Sequence, residues 1–120
     1  MIYTTTPPDE MVIKNFLAQI DFNLSNGFMD YFTKSNGGKI DNENDLIFLW
    51  PLNKMIQLNK GYGADKYCPE FFLFGSDGGG EAFAIEKTTG CIFMIPFIIL
   101  DKEDAIYKYK DFAELLKSDN

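Results

Sequence analysis

The chain has 120 residues, 46% hydrophobic and 16% aromatic, enough for one domain with a real core and too apolar for a disordered segment. Its 18 acidic residues outweigh 11 basic ones for a net charge of −7, and every base is lysine. Without arginine it is poorly equipped to grip nucleic acid, and without histidine it lacks every Ser-His or Cys-His catalytic arrangement and the commonest metal ligand.

Thr6-Pro7-Pro8-Asp9-Glu10 reads as a helix start, with Thr6 as cap, proline in the first turn and acids at the positive end of the dipole. Val12, Phe16, Leu17 and Ile20 follow as an apolar stripe with Ile13 at its edge. A second helix begins near Ser25 or Asn26 and carries Phe28, Tyr31 and Phe32 at helical spacing. Asn36-Gly37-Gly38 is its expected stop. Lys39 to Asp45 is polar and reads as loop. Its run Asp41-Asn42-Glu43-Asn44-Asp45 resembles a calcium loop only superficially, because Leu46 and Leu52 occupy the positions that need Gly and Glu.

Leu46 to Trp50 is a short apolar strand, and Pro51 can open a helix through Leu52, Met55, Ile56 and Asn59. Lys60 to Pro69 has no clear period and reads as irregular. Phe71 to Phe74 and Glu81 to Glu86 are strands; in the second, Phe83 and Ile85 alternate with Ala82 and Ala84. Lys87-Thr88-Thr89-Gly90 is a hairpin turn into Cys91 to Ile95, which Pro96 ends. Phe97 to Leu100 reads as a further strand or the start of a loop. A last helix falls between Asp104 and Leu116, best supported from Lys110, with Phe112, Leu115 and Leu116 as its apolar face. The expected fold is α+β: a single domain over residues 1–120, with an antiparallel meander flanked by N-terminal and C-terminal helices.

Between the strands at 71–74 and 81–86 lies Gly75-Ser76-Asp77-Gly78-Gly79-Gly80. Gly75 and Gly80 have P-loop spacing, but Glu81 and Ala82 follow where lysine and a hydroxyl residue belong. A carboxylate there repels phosphate, and Phe83 stands at the third glycine of a dinucleotide fingerprint. The turn therefore reads as structural, with Gly75, Gly78, Gly79 and Gly80 serving the backbone and Trp50 a core position. No cofactor is expected. Cys68 and Cys91 lack a CxxC partner, so no zinc or redox motif is present; Cys91 reads as a buried free thiol. The longest apolar run, Cys91 to Leu100, is too short to span a bilayer. No leader pattern opens the chain, so a cytoplasmic protein without membrane contact is expected.

Four landmarks give the chain a resemblance to the SUKH superfamily, in the branch related to the yeast cell-wall assembly regulator. Leu24 to Phe32 with Asn36-Gly37-Gly38 is similar to its leucine-aromatic-Asn-Gly-Gly element. Trp50 followed by Asn59 and Tyr62 is similar to its tryptophan-to-asparagine segment. Residues 72–84 resemble its glycine-rich hairpin, and Ile92 to Phe97 with Phe112 to Leu116 its closing strand and terminal helix. Ser25 stands where proline is usual and Glu86 where aspartate is common; Ser25 is expected to cap the second helix.

The resemblance implies a non-catalytic immunity protein that neutralises a toxin, often a nuclease, by binding it. Its alternative is a scaffold or regulatory interaction domain with no toxin. An enzyme built on Asp77, Glu81 and Glu86 is disfavoured, because Glu81 and Glu86 point to opposite faces of one strand. A basic protein partner suits the charge. Its candidate contacts are the loop residues Asp41, Glu43 and Asp45, the segment Asp65, Tyr67 and Glu70, and the turn residue Asp77.

Overall fold

Phe83 and Ile85 point to one side of their strand and Ala82 and Ala84 to the other, and all four are buried. A strand covered on both faces belongs to the middle of a layered domain. The computed structural model, which describes residues 1–118, places it so. Its elements are β1 (Ile2–Tyr3), α1 (Glu10–Gln19), α2 (Phe28–Phe32), β2 (Gly38–Asp41), β3 (Leu46–Leu49), α3 (Leu52–Tyr62) and α4 (Ala64–Tyr67). Then follow β4 (Phe71–Ser76), β5 (Glu81–Glu86), β6 (Ile92–Pro96), β7 (Ile106–Tyr109) and α5 (Phe112–Lys117), with a 3₁₀ turn at Lys102–Asp104. The seven strands form one sheet in sequence order, and every neighbouring pair is antiparallel. The fold is α+β, as expected, but strand β1 precedes the first helices: α1 and α2 lie between β1 and β2, α3 and α4 between β3 and β4, and α5 follows β7.

The larger core lies on the face of Phe72, Phe74, Phe83 and Ile85. Phe16 of α1, Phe28 and Phe32 of α2, Met55 of α3 and Phe112 of α5 close over it. Its rings meet mostly edge to face or tilted, as between Phe28 and Phe112 at 5.2 Å and Phe74 and Phe112 at 5.5 Å, the arrangement favoured by ring quadrupoles. A smaller core lies on the opposite face, where Phe71, Leu73, Ala82, Ala84 and Ile95 meet Ala64, Cys68 and Leu100. The alanines of β5 leave room there for α4 and the chain after β6 to lie close.

The sheet curls around the larger core. The turn between β2 and β3 reaches β7, four places away in strand order: Tyr109 donates to Asp45 Oδ2 at 2.6 Å, and Asn42 donates to Tyr109 Oη at 3.2 Å.

Several elements differ from expectation. The polar segment after Gly37 forms β2, because its partner across the turn, Ile47, needs Ile40 beside it in the core. β1 has no clear local pattern and exists by pairing Ile2 with Ile40. Helix α1 begins at Glu10 with Asp9 as the capping position, three residues later than Thr6, and Leu17 lies exposed. Helix α2 ends at Phe32, short of Asn36. Asn36 instead accepts the Leu52 N–H at 2.7 Å and so caps α3 from another segment. Ser25 does not cap α2 either; its hydroxyl donates to Gly90 O at 2.7 Å and accepts the Phe112 N–H at 2.8 Å. Residues 60–69 are mostly helical, and residues 106–109 are strand β7 where a helix was among the readings. Phe97 to Leu100 is loop.

Candidate functional site

After Leu49, β3 peels away from β4; Trp50 makes a last bond, donating its N–H to Phe74 O at 3.0 Å. Beyond it the side of β4 would be left with unmet peptide groups, which a buried strand does not tolerate. Asn59 of α3 meets them. Its amide donates to Leu73 O at 2.9 Å and its carbonyl accepts the Leu73 N–H at 2.8 Å. A further bond to Met55 O at 2.8 Å holds the side chain in its rotamer. The C-terminal turn of α3 is thereby fixed beside Trp50.

Three aromatic rings stack there. Tyr62 lies 4.3 Å from Phe97 and 6.1 Å from Trp50 between ring centroids, with Trp50 and Phe97 6.3 Å apart, all close to parallel. Trp50 is half-buried and packs against both cores, whereas Tyr62 is exposed. Phe97 is set by Pro96, which ends β6, and by its N–H, which donates to Gly80 O at 2.9 Å. The chain then presents Ile98 and Ile99, 82% and 76% exposed, before Leu100 turns back into the smaller core. Ile99 has φ +58°, the only residue other than glycine in the left-handed region among those described. A β-branched side chain is strained there by about 1–3 kcal/mol.

The glycine turn adjoins this surface through Gly80. Gly78 has φ +83°, and a Cβ on Gly75 would lie 2.5 Å from Phe48 O. Gly79 and Gly80 have no positive φ and no close neighbour that would bar a side chain, so glycine is required at 75 and 78 and not at 79 or 80. Asp77 Oδ1 accepts the N–H groups of Gly79 at 2.8 Å and Glu81 at 3.2 Å, which shapes the turn.

The seven candidate contact residues do not form one cluster. Asp41 and Glu43 are exposed at the β2–β3 turn. Asp45, beside them, has a competing role that its loop position concealed: its side chain is only 6% exposed, held by Lys108 at 2.9 Å and Tyr109. Asp65 and Tyr67 are exposed on α4, and Glu70 follows, paired with Lys102 at 3.3 Å. The Glu70 carboxyl is held below its usual range by its own backbone N–H first and by Lys102 next. β4 puts Asp77 roughly 20 Å from Glu70. Residues 97–104 span this distance across the smaller core, from Gly80 at one end to Glu70 at the other.

Sequence reasoning missed Tyr62, Ile98 and Ile99 as surface features. The available signal was Pro96 halting a strand ahead of four apolar residues with no alternation, too long a run for a solvated loop.

The polar groups do not converge on a reacting position. The carboxylates of Asp77, Glu81 and Glu86 are dispersed: Asp77 serves the turn, Glu86 accepts from Thr89 at 2.6 Å at the other end of β5, and Glu81 Oε2 is buried without a hydrogen-bond partner. Among the described residues, no group of three or more Cys, Asp or Glu is placed to hold a metal ion. A hollow of about 380 Å³ is an open groove lined by Phe22, Ile56, Phe72 and Lys87, among others. Both cysteines are free; Cys68, not Cys91, is the fully buried one. Burial, and then the Glu70 charge, push the Cys68 thiol up to about 11, away from nucleophilic use. No helix among the described residues is long and apolar enough to cross a membrane.

Residues 7–118 match the family model of the SMI1 / KNR4 family (SUKH-1). Comparison with curated proteins finds no match.

Proposed function

Because the chain belongs to the SMI1 / KNR4 family (SUKH-1), we propose that it is a non-catalytic cytoplasmic binding protein that neutralises a toxin by occluding it. The family match over nearly the whole chain is the observation that carries this reading. A net charge of −7 supports a basic toxin domain, of which a nuclease is one kind, by speeding its encounter. The dispersed carboxylates support a protein that binds rather than turns over substrate.

The test is survival. A toxin gene is expected beside this chain's own, and cells expressing that toxin are expected to die without the chain and to grow when it is co-expressed. The purified pair is expected to form a complex that blocks the toxin's activity. If the chain neither binds nor protects, the scaffold or regulatory reading replaces this one.

A further inference from the structure

Resting on that reading, we infer that Phe97, Ile98 and Ile99, backed by Tyr62 and Trp50, form the apolar anchor by which this chain docks its basic partner. Two adjacent isoleucines held in water contribute little to the folded core, which Leu100 fills and Phe97 packs against on either side of them. A loop needing only a left-handed residue would be served better by glycine or asparagine. Isoleucine at φ +58° sets an apolar side chain outward against its own conformational preference. The stacked rings of Phe97 and Tyr62, in turn against Trp50, give that protrusion a rigid base, so little order is lost when a partner closes on it.

The surroundings specify the sign of that partner. Residues 75–80 and 97–104 together hold four carboxylates and a single lysine. That lysine, Lys102, is already paired with Glu70. An apolar centre with an acidic rim fits a protein that offers an apolar pocket edged by Lys or Arg. At the β2–β3 turn, by contrast, Asp45 is consumed internally by Lys108 and Tyr109.

Affinity for the purified toxin domain encoded beside this gene decides the matter. Ile98→Asn combined with Ile99→Gly removes the anchor and relieves the backbone, so the variant is expected to fold and bind about thirtyfold more weakly or worse, mainly through faster dissociation. Asp101→Asn, Glu103→Gln and Asp104→Asn together are expected to slow association several-fold and flatten its salt dependence. Asp41→Asn with Glu43→Gln is expected to bind like the wild type. If the wild type binds and the isoleucine variant binds equally well, the anchor is refuted and the toxin-binding reading stands. Self-association of the wild type that the isoleucine variant abolishes would reassign the patch to a second copy and refute it as well. If the wild type does not bind or protect, both readings fall together.

Discussion

Asn59→Leu removes the link between α3 and β4 while nearly preserving volume. Leu73 is fully buried, so its N–H and C=O cannot turn to water once Asn59 no longer meets them. Each unmet buried group costs roughly 1–3 kcal/mol. The third bond, to Met55 O, is cheaper to lose because that carbonyl also lies within the α3 ladder. Two orphaned groups, partly offset by a more apolar side chain, amount to about 3 kcal/mol. For a domain of this size that is a fall of roughly 10 °C in Tm. Urea unfolding followed by Trp50 fluorescence measures it, and hydrogen exchange at the Leu73 amide localises it. Asn59→Asp is a sharper variant: it keeps the acceptor for the Leu73 N–H but cannot donate when ionised, and faces two carbonyls at the distances now spanned by donors. It is expected to lose at least as much at neutral pH. A loss below 1 kcal/mol for Asn59→Leu, with Leu73 exchange unchanged, would refute the view that this side chain replaces a strand partner.

Gly75→Ala, which drives a Cβ toward Phe48 O, is expected to lower Tm by more than 5 °C, whereas Gly80→Ala, in open space, leaves it within 2 °C; thermal melts of the two compare them directly. Tyr109→Phe removes the donor to the Asp45 carboxylate and is expected to cost about 1.5–3 kcal/mol at neutral pH in urea unfolding. For Cys68, the folded-state thiol value of about 11 lies above its ordinary value of 9.0, so the stability it contributes is complete below pH 9 and is lost as pH rises through about 11. Native alkylation at pH 8 is expected to label Cys91 and spare Cys68; equal rates at both thiols would contradict its burial.

Signals confined to a few consecutive residues were enough for part of this protein. Alternation in 81–86, the Lys87–Gly90 turn and the proline at 96 specify the β5–β6 hairpin, because a strand's two faces are written in its own side chains. Pro51 with Leu52 and Met55 likewise marks α3, and Phe112 with Leu115 marks α5. The quoted landmarks also sufficed to identify the family. Tertiary structure decided the rest, since those features depend on residues far apart in the chain. Residues 39–41 become a strand through Ile2 and Ile47, and Asn36 caps a helix that begins at Leu52. Asp45 looks like a free loop acid until the sheet curls and brings Lys108 and Tyr109 against it. Ile98 and Ile99 have the composition of core residues, and only the path from Gly80 across the smaller core leaves them in solvent. Hydrophobicity is a property of each side chain, but burial is a property of what the rest of the chain places over it.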